Sequence, residues 1–193
     1  MPALLNPRVL LIGDSIRLRY KPLVQRALAA GAEVTGPTEN CQSSEEIKAR
    51  LREWVLDHRP NVVHLNCGLH DLRRDPGAEG SRITLADYSA NLEQIFASLT
   101  AARVGTLVWA TTTPIDEARH QARRPSQRAE SDFVAYNSAA EAVAKRFGLV
   151  VNDLYGAVVA AGKAMLLADD SVHFTPRGYE LLAHHVGLAI GRA

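Results

Sequence analysis

The chain has 193 residues, enough for one domain with a sizeable core, and its 47% hydrophobic and 22% charged residues describe an ordinary globular composition. A formal charge of +1 excludes nucleic-acid binding driven by bulk electrostatics, and two cysteines, Cys41 and Cys67, make neither a disulfide framework nor a zinc pattern. No apolar stretch reaches the ~18 residues a membrane helix needs, and Met1-Pro2-Ala3-Leu4-Leu5-Asn6-Pro7-Arg8 has no basic segment followed by a long apolar one, so a cytoplasmic protein with no membrane partner is expected.

Short apolar runs alternate with longer stretches of helical period. Val9–Ile12 reads as a buried strand stopping at Gly13-Asp14-Ser15. Arg17–Ala30 reads as a helix with Gly31 as its C-cap. Glu33–Thr35, the poorest strand, is expected at an edge. Ser43-Ser44-Glu45-Glu46 has the form of a capping box, and Ile47, Leu51, Trp54 and Val55 mark one face of a helix that must stop before Pro60. Val62–Asn66 is the third strand, followed by an irregular stretch, Arg73–Arg82. Thr84 with Asp87 opens a helix whose buried face carries Leu85, Tyr88, Leu92, Ile95, Phe96 and Leu99. Thr106–Thr112 is the fourth strand. After it comes a second irregular stretch, Ile115–Arg128, carrying Arg119, His120, Arg123, Arg124 and Arg128. A helix from Gln127 to Phe147 ends at Gly148, and Leu149–Asn152 is the fifth strand. Thr175-Pro176 opens the last helix, with Leu181, Leu182 and Val186 on its buried side.

Strands alternating with helices imply right-handed crossovers and a parallel sheet covered on both faces. The expectation is one doubly wound α/β domain over residues 1–193, in three α/β/α layers. Such sheets keep their sites at the carboxyl ends of the strands, which brings four stretches to one edge.

Ser15 is a candidate nucleophile, weak until a base takes its proton. Asp170-Ser171-Val172-His173 supplies a histidine and, three residues earlier, a carboxylate to orient it. Asn66-Cys67-Gly68-Leu69-His70-Asp71 can offer a side-chain donor to an oxyanion beside the Ser15 N–H. Asn40-Cys41-Gln42-Ser43-Ser44 opens a helix whose free N–H groups favour an anion. Each stretch alone has a structural reading: Asp14 and Ser15 can cap a helix, and a histidine before a helix is ordinarily a surface or capping residue. A phosphoacceptor or nucleotide-binding reading lacks a Gly-rich fingerprint and a P-loop lysine. The basic 115–128 stretch can hold an anionic substrate group or be a solvated loop. Cys41 and Cys67 read as small buried hydrophobes, with a redox switch as the alternative.

In this order the four stretches resemble the blocks of the SGNH (GDSL-type) hydrolase superfamily over nearly the whole chain. The resemblance implies a flavodoxin-like fold, with Ser15 as nucleophile, His173 as general base and acid, and Asp170 as its orienting partner. It implies oxyanion or substrate-binding roles for Gln42, His70, Gly68 and Asn40. Two positions depart from the family. Gln42 stands where a glycine usually donates its N–H, and Gly68-Leu69-His70-Asp71 replaces Gly-x-Asn-Asp. A neutral histidine can still donate one N–H. His64–Leu72, Trp109–Pro114 and Asn152–Tyr155 look like a bacterial branch whose members are often labelled carbohydrate esterases. The implied activity is removal of a short acyl group, notably acetyl, from a carbohydrate or small ester, with no metal or other cofactor. The seven histidines show no His-Glu-x-x-His spacing. The alternatives are a lipolytic esterase or thioesterase, and a catalytically impaired carbohydrate-binding member of the fold.

Overall fold

Five strands form one sheet: β1 (Arg8–Ile12), β2 (Glu33–Thr35), β3 (Val62–Leu65), β4 (Thr106–Ala110) and β5 (Val150–Asn152). Their order is β2-β1-β3-β4-β5 and every pairing is parallel. The computed structural model describes residues 6–192; Met1–Leu5, within the start read above for a leader, lie outside the described residues. Val9, Leu10, Leu11 and Ile12 are all buried, because helices cover both faces of the sheet, and only Arg8 at the start of β1 looks to water. The short β2 lies at an edge, as its composition predicts.

The helices are α1 (Ser15–Leu28), α2 (Ser44–Ala49), α3 (Leu51–Trp54), α4 (Leu85–Ala101), α5 (Glu117–Arg123), α6 (Glu130–Arg146), α7 (Leu154–Ala160), α8 (Lys163–Leu166) and α9 (Pro176–Gly191). α1, α7 and α9 pack together on one face, and α2, α4 and α6 on the other, giving the three-layer α/β/α architecture. Three N-caps act where expected, whereas the C-cap of α1 is Ala29, two residues short of the Gly31 read for it. Ser43 Oγ accepts from the Glu46 amide, Thr84 Oγ1 from the Asp87 amide and Thr175 Oγ1 from the Gly178 amide.

Four further expectations are corrected. The helix read through Val55 is broken at Arg50, whose backbone (φ −109°, ψ 19°) leaves the helical region. There its guanidinium reaches Glu39 and Glu53 and lies 4.3 Å over the Trp54 ring. Leu85, the first residue of α4, is 39% exposed because the helix meets the core only after its first turn. The third and fourth strands end at Leu65 and Ala110, since the Asn66 side chain takes the carbonyls of Ala110 and Thr111 in place of further ladder bonds. The 115–128 stretch is not wholly irregular: α5 forms there, capped by Asp116 accepting from the Arg119 amide.

Candidate active site

The carboxyl edge of the sheet begins with the turn after β1. A Cβ on Gly13 would stand 2.9 Å from Arg17 Cβ and 3.4 Å from the Asn66 carbonyl, so the turn is as tight as only glycine allows. Asp14 caps α1, its Oδ1 accepting from the Ile16 amide at 2.9 Å. The two readings of Gly13-Asp14-Ser15 thus divide by residue. Asp14 is the cap, and Ser15 is left facing outward from the first helical position.

Ser15 Oγ lies 2.8 Å from His173 Nε2, although 158 positions separate them in the chain. On the far side of the ring, His173 Nδ1 lies 2.5 Å from Asp170 Oδ2. A carboxylate there requires Nδ1 to carry the proton, so Nε2 presents its lone pair to the Ser15 hydroxyl. Asp170 Oδ1 is used separately, accepting from the amides of Val172 and His173 at 3.0 and 2.8 Å. Burial alone would raise the Asp170 pKa; the bonds from the His173 ring and these two amides outweigh it and bring the group down to about 2. Ser171 makes the turn possible with φ at 66°, a left-handed conformation, and is fully buried. From outside, Arg119 and Arg123 of α5 donate to the carbonyls of Ala168 and Asp169, gripping the loop that carries His173.

The second stretch is held against the Ser15 turn by Arg17. This side chain is 1% exposed and spends every guanidinium nitrogen on the surrounding backbone. Nε and Nη2 reach the Gly13 carbonyl, Nη1 reaches Pro37, and Nη2 also reaches the Glu39 carbonyl and Cys41 Sγ. Gln42 adopts φ 52°, so a residue with a Cβ does occupy the left-handed conformation expected there of glycine. Its amide donates to Asn40 Oδ1 at 2.9 Å. An incoming oxyanion must therefore compete with Asn40 for that N–H.

The third stretch is fixed by packing. Gly68 has φ +135°, and a Cβ there would fall 2.2 Å from Thr112 Oγ1. The neighbouring Cys67 carbonyl accepts from Thr112 Oγ1 and Tyr88 Oη at 2.8 and 3.1 Å. His70 is half-buried and makes no hydrogen bond among the described residues. Burial first, then the charges of Arg128, Arg82 and Arg73, lower its pKa against the opposing pull of Asp14, which keeps the ring neutral and able to donate. Asp71 is fully buried, and its Oδ1 accepts from the Ser44 amide at 2.9 Å, tying the third stretch to the start of α2.

Sequence reasoning assigned no role to Arg17 or Asp71. Arg17 carried a usable signal, since it shares the i, i+3, i+7 stripe of Tyr20 and Val24 that α1 buries. Cys41 and Cys67 are free and buried, and burial pushes both thiols up, which suppresses the reactive thiolate and favours the reading as small hydrophobes. Among the described residues no three His, Cys, Asp or Glu side chains converge as a metal site. Nor is any described helix long and apolar enough to cross a membrane.

Residues 11–181 match the GDSL-like Lipase/Acylhydrolase family. A lipase/acylhydrolase from Enterococcus faecalis is similar in structure at 25% identity, with a TM-score of 0.82 over 96% of both chains. A catalytic mutant of an acetylxylan esterase from Geobacillus stearothermophilus shares the fold at 20% identity, TM-score 0.77, over 96% of this chain and 94% of that one. LAE5, an alpha/beta hydrolase enzyme from the metagenome of Lake Arreo, shares it at 18% identity, TM-score 0.77, over 96% and 95% of the two chains. The comparison with curated proteins gave no match.

Proposed function

The chain belongs to the GDSL-like lipase/acylhydrolase family, an ester-hydrolysing one, and from that premise we propose that Ser15, His173 and Asp170 remove a short acyl group, acetyl foremost, from a carbohydrate or other small ester. One observation carries the reading. Serine, imidazole and carboxylate stand in a hydrogen-bonded row, 2.8 and 2.5 Å apart, at the carboxyl edge of the sheet.

Ser15 Oγ bonds to the acyl carbon as His173 Nε2 takes its proton, and the carbonyl electron pair moves onto oxygen. The Ser15 N–H and the His70 ring N–H meet this oxyanion, with Gln42 as a third donor if the ligand displaces Asn40. Collapse breaks the bond to the alcohol, and the His173 Nε2 proton leaves with it. Water then attacks the acyl-enzyme, yielding its proton to His173, and a second collapse returns that proton to Ser15 as the acid departs. Asp170 stays ionised throughout, holding the ring and stabilising the imidazolium. Two features favour a small polar ester over a long acyl chain. The rim beside His70 carries Arg73, Arg82 and Arg128, and a neighbour of the same fold is an acetylxylan esterase.

Hydrolysis of 4-nitrophenyl acetate, butyrate and octanoate, with Ser15→Ala beside wild type, tests the proposal. Acetate should be preferred, and the variant should lose roughly 10⁴–10⁶-fold in kcat. Equal rates in the two proteins would overturn the mechanism. Labelling of wild type but not Ser15→Ala by a fluorophosphonate separates an enzyme from a binding module.

A further inference from the structure

Between α5 and α6 lies Arg128, 6% exposed and close enough to His70 for its charge to act on that ring. Nε donates to the Leu69 carbonyl at 2.9 Å and Nη1 to His120 Nε2 at 3.2 Å. Among the described residues Nη2 has no acceptor. Neither acceptor of the guanidinium is charged. His120 is itself buried, and burial, then the charges of Arg128 and Arg124, hold it neutral. A buried cation without a counter-ion is costly, and the neutral bonds do not need the charge. Arg17, equally buried, has no such opening.

The surroundings deepen the deficit. Arg73 and Arg82 both bond Asp75, so three guanidiniums act on His70 with one ion-paired carboxylate among them. Asp14, whose field also reaches Arg128, caps α1 and forms no ion pair with it. The Arg74–Gln127 bridge joins the 73–82 stretch to the segment bearing Arg128, fixing the cluster as one wall of the site.

Resting on the esterase reading, we propose that the substrate is an acetyl ester whose alcohol half carries a carboxylate, and that Arg128 receives that carboxylate. A guanidinium fork matches a planar carboxylate, and the open nitrogen offers two unused N–H groups. An acetyl group has no place for a charge, so the anion belongs to the alcohol, such as a hydroxy acid or a sugar acid. Arg73 and Arg82 add attraction, and Arg128 sets the position.

4-Acetoxybenzoate and its methyl ester differ in that single charge. Wild-type kcat/KM should favour the acid at least about tenfold. Arg128→Met should bring the ratio near one and Arg128→Lys restore part of it. A role confined to holding the Leu69 carbonyl would lower both rates together and leave the ratio unchanged, which overturns the proposal. Equal wild-type rates for the two esters overturn it as well. Titration calorimetry with Ser15→Ala reads binding without turnover and without altering Arg128, so it decides the matter even if the Arg128 variants do not fold. The acid should bind at least about tenfold more tightly than the methyl ester, and equal affinities reject the site. If neither ester is hydrolysed and the acid still binds preferentially, the carboxylate site stands and the esterase reading falls.

Discussion

Two arginines, Arg17 on α1 and Arg128 at the Leu69 carbonyl beside His70, are both withdrawn from solvent and, among the described residues, without an ion-pair partner, and they differ in one respect. Arg17 has every nitrogen engaged by backbone carbonyls and a thiol, closing the loop at 37–41 onto the turn after β1. Arg128 engages a carbonyl and an imidazole and leaves a nitrogen open beside His70. Burial alone does not separate a structural cation from a binding one. Completion of the donor set does. The β1 side of the edge is finished by the protein, and the β3–β4 side is finished by what it binds.

The sharpest way to break this contrast is stability. Arg17→Met removes the buried donor shared by the carbonyls of Gly13, Pro37 and Glu39 and should cost about 3–5 kcal/mol in urea unfolding, against about 1–2 for Arg128→Met. Equal losses would dissolve the distinction. Next in size is His70, on the open side. His70→Ala should lower kcat for 4-nitrophenyl acetate about 10²–10³-fold, and His70→Asn, which restores an N–H donor, should recover most of it. An Asn variant no better than Ala would remove His70 from the oxyanion site.

The smallest effect lies where the two sides are joined. Burial raises the Asp71 carboxyl from its ordinary 3.8 to about 6, against the bonds from Ser44. The folded state therefore holds this proton more tightly than the unfolded chain, and its contribution to stability is present at acid pH and lost as pH rises through 6. Asp71→Asn should match wild type near about pH 4 and exceed it by about 1–3 kcal/mol near about pH 8, in urea melts at the two values. A constant difference between the variants would assign the bond to Ser44 a purely structural worth.

What was legible in the chain follows from range. Val9–Ile12 announced a central strand because a strand buried on both faces must be apolar throughout. Thr175-Pro176 announced the last helix because caps are local chemistry. Ser15 and His173 could be proposed as partners before the fold was known, because Gly13-Asp14-Ser15 and Asp170-Ser171-Val172-His173 together resemble the first and last blocks of a family. α5 was missed because its arginines are satisfied by the carbonyls of Ala168 and Asp169, more than forty positions away, a partnership no local pattern records. Arg17 was legible as buried from its stripe but not as satisfied, for a related reason. A cation on the buried stripe of a helix contradicts the hydrophobic pattern until the carbonyls that surround it are known. The Gln42 amide was expected to be free; only the structure shows Asn40 already holding it.

The packing of α1 against α9 has a consequence in time. Ser15 leaves the ribosome 158 positions ahead of His173, a lag of roughly 8–30 s at roughly 5–20 residues per second. During that lag the nascent chain carries Ser15 without the imidazole that neighbours it in the folded protein. Under the proposed mechanism, ester hydrolysis begins only once the loop bearing His173 has docked, so a chain ended before His173 is silent. On that mechanism, activity in a cell extract counts only the chains that have passed His173.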